Sequence, residues 1–104
     1  MKWSILKFTI NNKVAFKLYR GYYGGYLSGD GWLLNSGISS IESDFVEGAP
    51  VYVVHGESGS VYVVPVANEG MTSYMLAVLH HWKMNIEETN SIEISSVKEF
   101  MEAQ

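Results

Sequence analysis

VYVVHGESGSVYVVPV, residues 51–66, carries the tetrapeptide VYVV twice, on either side of a short polar loop. β-Branched and aromatic residues favour a pleated backbone, and the Gly and Ser residues between the two runs supply a turn, so the stretch reads as a β-hairpin. An odd-numbered loop sets Val54 opposite Tyr62, Tyr52 opposite Val64 and Val53 opposite Val63; an even one pairs Val54 with Val61 or Val63. In either register both faces of the ribbon are apolar, the pattern of strands covered on two sides. The hairpin is therefore expected in the interior of the domain. Cross-strand Tyr/Val pairs are worth roughly 0.2–1 kcal/mol each over alanine pairs, so the ribbon depends on cover from the rest of the chain.

Working outward, residues 38–45 read as a strand ending near Glu47-Gly48, from which Ala49-Pro50 leads into the hairpin. Pro65 lacks a ladder donor and marks an edge or a bulge where pairing stops. After the break at Asn68-Glu69-Gly70, residues 71–84 place Met71, Met75, Val78, Leu79 and Trp82 at helical spacing, and Tyr74, Leu76 and Ala77 widen the apolar arc. Thr72 or Ser73 can cap the start of this helix and Asn85 its end. So broad an arc covers a sheet face and meets a further surface, either the last segment or a second copy in a homodimer. In the tail, Ile92-Glu93-Ile94 alternates as a short edge strand. Ser96 and Glu99 have capping-box spacing for a terminal helix with Val97, Phe100 and Met101 on one side.

Towards the amino terminus, residues 2–10 and 14–20 alternate as two strands, with Leu6, Phe8 and Ile10 on one side of the first and Val14, Phe16 and Leu18 on one side of the second. A two-residue Asn11-Asn12 turn sets Ile10 against Lys13 and Lys7 against Phe16, mixing the faces. A three-residue loop through Lys13 pairs Ile10 with Val14, Phe8 with Phe16 and Leu6 with Leu18, and is preferred for gathering apolar residues on one face. It also sets Lys7 opposite Lys17, flanked by Trp3, Ile5 and Tyr19, an arrangement that calls for an acidic neighbour or partner. In the glycine and aromatic cluster GYYGGYLSGDGW, residues 21–32, the SGDG segment signals a tight turn pairing residues 22–27 with 32–34, and Asn35-Ser36-Gly37 makes another.

The expected fold class is thus α+β: a mainly antiparallel sheet of five to seven strands, or a partly closed barrel, with one helix packed on it and a short C-terminal helix. With 104 residues, 47% hydrophobic and 17% charged, the chain can bury a core as one domain and is too apolar for disorder. It has no cysteine, which removes disulfides, thiolate nucleophiles and zinc knuckles. No run approaches a membrane span and the start lacks a signal-like apolar region, so the expectation is a cytoplasmic protein with no membrane partner. The net charge of −4 hides an asymmetry. Lys2, Lys7, Lys13, Lys17 and Arg20 give the first twenty residues five cations and no acid, whereas all eleven carboxylates follow, against Lys83 and Lys98 alone. Such a chain either folds its ends together or shows one basic and one acidic surface.

Constellations for chemistry are absent from the pattern. His80 and His81 are adjacent on the helix, about 100° apart, where a helical zinc pair wants a spacing of four; His55 lies at a strand end. The turn His55 to Ser60 resembles a nucleophile elbow only superficially, because Ser60 stands where the second glycine belongs and a strand follows instead of a helix. Paired carboxylates for acid/base work need a cleft, and the adjacent pair Glu87-Glu88 lies in polar sequence, as a solvated surface does. The glycine cluster has neither the Gly-Lys-Ser/Thr of a phosphate loop nor a strand-to-helix setting. No catalytic residue, metal ligand or cofactor is therefore assigned.

Three functions remain. The first is a non-enzymatic protein-binding module of the immunity or inhibitor kind, since Tyr and Trp are favoured at interface hot spots. Tyr22, Tyr23, Tyr26, Asp30 and Trp32 would supply anchors, and Glu42, Asp44, Glu47 and Glu57 would meet a basic protein. The second is nucleic-acid binding on the first hairpin by Trp3, Lys7, Lys17, Tyr19 and Arg20, with cations tracking phosphates and rings stacking on bases. The third is a small-ligand pocket between sheet and helix involving His55, His80 and Tyr62.

Overall fold

The structure, a computed structural model, describes residues 1–24 and 29–104. Its centre is the first hairpin, β1 (Lys2–Ile10) and β2 (Lys13–Tyr22). Asn11 and Asn12 both take left-handed φ values, 52° and 66°, and close the ribbon in two residues. Such a turn matches the right-handed twist of the strands, and asparagine tolerates this conformation better than most residues. The three-residue loop favoured by the sequence pattern is thereby overturned: Ile10 faces Lys13, Phe8 faces Ala15 and Lys7 faces Phe16. Lys7 and Lys17 consequently lie on opposite faces of the sheet. That preference rested on collecting apolar residues on one face, and this sheet is covered on both.

Strand β2 continues into pairing with β3 (Gly31–Leu34), Tyr22 opposite Gly31 and Gly21 opposite Trp32. The expected second hairpin thus uses the end of β2 instead of a strand over 22–27; Tyr26 and Leu27 fall outside the described residues. The other edge of the sheet is β7 (Ser91–Ser95), antiparallel to β1, giving the order β3-β2-β1-β7. A second sheet, in the order β4-β5-β6, comprises β4 (Ile38–Val46), β5 (Ala49–Gly56) and β6 (Val61–Pro65). The seven strands of the described residues therefore divide into two antiparallel sheets, and neither closes into a barrel.

Asn35 hands the chain from one sheet to the other. Its N–H donates to the Leu18 carbonyl, its side-chain oxygen accepts from the Leu18 N–H at 2.8 Å, and its amide nitrogen donates to Gly37. In β5–β6 the odd loop holds: Val54 faces Tyr62, Tyr52 faces Val64 and Val53 faces Val63.

Helix α1 (Ser73–Met84) starts two residues later than the sequence pattern suggests, because Thr72 is its N-cap and accepts from the Met75 N–H at 3.1 Å; Asn85 ends it. Helix α2 (Val97–Glu102) is capped by Ser96, which accepts from the Glu99 N–H.

The layers follow from the two faces of the central sheet. Trp3, Ile5, Phe16 and Leu18 pack on Ile38, Ile41, Val54 and Val64 of the three-stranded sheet, with Phe100 of α2 closing one end edge-on to Phe16 at 5.4 Å. On the reverse face Leu6 and Tyr19 pack with Met75, Leu79 and Ile92, flanked by the Trp32–Trp82 pair at 4.9 Å. The Tyr19 hydroxyl donates to the Met75 carbonyl at 2.8 Å, and burial, helped by the nearby Tyr74, pushes its pKa up to about 12. A Cβ at Gly21 would stand 2.2 Å from Met75 Sδ, so helix and sheet approach this closely only over glycine. Trp3 sews the sheets together: its indole N–H donates to the Pro65 carbonyl at 2.6 Å and its own carbonyl accepts from Gly70 at 2.7 Å.

The VYVV hairpin is not covered on both sides. Val54 and Val64 are fully buried on its inner face; on the outer face Val51 is buried, but Val61 and Val63 are 57% and 51% exposed. The interior position expected for this hairpin belongs to β1–β2, whose Trp3, Ile5, Leu6, Leu18 and Tyr19 are completely buried.

Candidate functional site

The β4–β5 hairpin outruns the sheet it packs on. Ile41, opposite Val54, is its last buried β4 residue; from Glu42 to Pro50 every residue is exposed. The tip is a two-residue turn, Glu47 and Gly48, with φ values of 50° and 81°. Phe45 stands 68% exposed on the inner side, past the reach of the opposing sheet, and its N–H donates to the carboxylate of Asp44 at 2.7 Å. On the outer side the cross-strand pairs are Glu42 with Val53, Asp44 with Val51 and Val46 with Ala49. Val63 and Val61 continue this face on β6. His55 Nε2 lies 3.2 Å from Glu42 Oε2 at the end of the valine row.

The electrostatics are one-sided. Between Ile38 and Pro65 there are four carboxylates and no lysine or arginine. Among the described residues neither Asp44 nor Glu47 forms an ion pair. The arm therefore offers an exposed ring and a valine strip beside acids that have no lysine or arginine on the same sheet. This combination suits contact with a protein surface that is apolar at its centre and basic at its rim.

The expected binding residues are only partly assembled. Glu42, Asp44 and Glu47 share this arm. Glu57 lies in the β5–β6 turn, at the other end of β5, where its N–H donates to the Gly37 carbonyl. Tyr22, Tyr23 and Asp30 are exposed where the chain leaves and re-enters the four-stranded sheet, and the Tyr22 ring lies across Gly31. Trp32 is half-buried between Tyr19 and Trp82, and Tyr26 is outside the described residues. Phe45, Val46, Val61 and Val63 escaped the sequence reading. Their signal was Phe45-Val46 between Asp44 and the Glu-Gly turn, a place where apolar residues have few neighbours to pack on.

The residues named for nucleic acid do not form one face. Trp3 and Tyr19 are fully buried on opposite sides of the central sheet. Lys7 pairs with Glu99 at 3.1 Å, Lys17 lies 5.2 Å from the Phe8 ring centre, and Arg20 stacks 4.4 Å above Tyr62. The cations remain near the surface, but the proposed stacking platform is core. His55, Tyr62 and His80 likewise occupy three places: the outer face of the three-stranded sheet, its inner face, and the exposed side of α1. Among the described residues no group of three His, Asp or Glu side chains is close enough to hold a metal ion, and no helix is long and apolar enough to cross a membrane.

Glu99 joins the two charge halves of the chain. The Ser95 hydroxyl donates to its carboxylate and Lys7 Nζ bonds its other oxygen, and these two contacts, the first the larger, hold its pKa below the ordinary glutamate value. Compared with known proteins, the chain matches no family model, no curated protein and no solved structure.

Proposed function

We propose that the chain is a non-enzymatic binding module of the immunity or inhibitor kind, which uses the β4–β5 arm and the adjoining valine face to occupy a basic surface of another protein. The observation that carries this reading is the exposed Phe45 at the end of an acidic hairpin that has no cation of its own. An aromatic anchor on an arm that also carries carboxylates supplies both parts of a specific interface: a side chain that gains by burial, and charges that steer a basic partner and fix its orientation. Enclosing such a ring in a partner pocket is worth roughly 2 kcal/mol or more at a hot spot.

The test uses the wild-type chain, Phe45→Ala and the Glu42→Lys/Asp44→Lys double variant as parallel baits in extract of the source cell, followed by titration of the purified partner. The expected result is a basic protein held by the wild type, at least tenfold weaker on Phe45→Ala and lost on charge reversal. A partner held equally by all three baits overturns the reading.

A further inference from the structure

We propose that the distal half of the β1–β2 hairpin, on the face turned towards α1, holds a second site that takes an amphipathic organic anion: an apolar body bearing one carboxylate, sulfonate or phosphate. On this face the cross-strand pairs run Ile10 with Lys13, Phe8 with Ala15 and Leu6 with Lys17. Helix α1 covers the Leu6 and Tyr19 end and leaves the turn end open. Ala15 is too small to fill the space opposite Phe8. The result is a depression of about 400 Å3, lined by Phe8, Ile10, Lys13, Ala15 and Lys17, with Ser36 on its rim. That volume lies at the lower end of small-ligand sites, whose walls are mostly apolar with a few placed polar groups.

The lining sets the sign of the ligand. It contains two lysines and no carboxylate. Among the described residues neither Lys13 nor Lys17 forms an ion pair. Lys13 and Lys17 are four residues apart on one strand, roughly 13 Å at the usual rise, so their ammonium groups can close on a head group from either side of Ala15. Lys17 already lies over the Phe8 ring, which places its charge at the boundary between apolar floor and water. A cavity of about 470 Å3 beside α2 contrasts with it: Lys7 there faces Glu57 and Glu99 and is already paired with Glu99. Lone cations over an apolar floor select an anion with an apolar body, and the site is independent of the acidic arm.

The probe is 8-anilinonaphthalene-1-sulfonate, an aromatic anion whose fluorescence rises on leaving water, with uncharged N-phenyl-1-naphthylamine as its control. The wild-type chain should bind the sulfonate saturably at one site, with amide shifts at Ala15 and Ser36 in NMR spectra, and laurate should displace it. Lys13→Gln/Lys17→Gln should weaken it at least tenfold; Ala15→Trp, which fills the depression and keeps both charges, should do the same. Phe45→Ala and Glu42→Gln/Asp44→Gln should bind as the wild type does, separating this site from the protein-binding arm. The proposal is overturned by no saturable binding, by equal affinity for the uncharged probe, or by undiminished binding in the double lysine variant.

Discussion

The β1–β2 and β4–β5 hairpins are built with the same device. Each is a long antiparallel ribbon closed by two residues in the left-handed region, Asn11-Asn12 in one and Glu47-Gly48 in the other. The first lies between a second sheet and a helix and has five fully buried side chains; in the second every residue from Glu42 to Pro50 is exposed. The strands themselves do not account for this difference, since both carry apolar side chains on each face. Distant segments do: α1 on one side of β1–β2, the three-stranded sheet on the other, and β7 along its edge. The charge follows the same division, with the five early cations in β1 and β2 and the acids of the middle of the chain on or beside the uncovered sheet.

The comparison breaks most easily at its core. Leu18→Ala, in the covered hairpin, should cost about 2–5 kcal/mol through lost burial and a residual cavity. Phe45→Ala, on the arm, should stay within about 0.5 kcal/mol, as surface changes do. Urea denaturation midpoints decide it, and equal losses would mean that the arm is covered after all. Glycines sharpen the same contrast at a smaller scale. Gly21→Ala drives a methyl into the buried Met75 and should cost about 1–3 kcal/mol. At Gly48 nothing lies within 4 Å of an added methyl, and the substitution should cost only the left-handed backbone penalty, about 1 kcal/mol.

The smallest effect concerns Glu99, the link between the basic hairpin and the acidic tail. Its carboxyl titrates below the 4.5 of an ordinary glutamate, so the native state favours the ionised form. The sign follows: its contribution is complete above the unfolded pKa and is lost as pH falls through the lower folded value. In NMR titrations Ser95→Ala should raise the Glu99 pKa more than Lys7→Met does, because the hydroxyl is the larger cause. An unmoved value in both variants would show that neither contact holds the charge.

Local features were legible in the sequence because local chemistry sets them. The β5–β6 hairpin, the Ser96 cap, the stop at Pro65 and the short β7 strand all depend on residues close together in the chain, and the same chemistry narrowed the hairpin to two registers and the first cap to Thr72 or Ser73. What covers each face was not legible, since it depends on contacts such as Trp3 with Pro65, sixty-two positions apart. That gap misplaced the VYVV hairpin in the interior. It also produced the wrong loop length at Asn11-Asn12, where a one-faced strand pair was assumed. For the candidate site, Glu42, Asp44 and Glu47 were recognisable as an acidic cluster, whereas the exposure of Phe45 was not. An aromatic in a strand is ordinarily core, and only the opposing sheet's limited extent leaves this one outside.

The three-stranded sheet ends in β4 and β6, and among the described residues no strand pairs with the outer margin of either. β6 is five residues long and stops at Pro65, which has no N–H to offer a neighbouring chain. β4 is nine residues long, with an irregular register between Ile38 and Ser40, and Glu42, Asp44 and the turn residue Glu47 stand along it. Open β margins invite other strands to add to them, and like charges brought side by side oppose that addition. Between copies of the chain the carboxylates therefore oppose the zipping of one arm onto another into a filament. Neutralising them by Glu42→Gln, Asp44→Asn and Glu47→Gln removes this guard, and the variant should self-associate from the β4 margin more strongly than the wild type in light scattering.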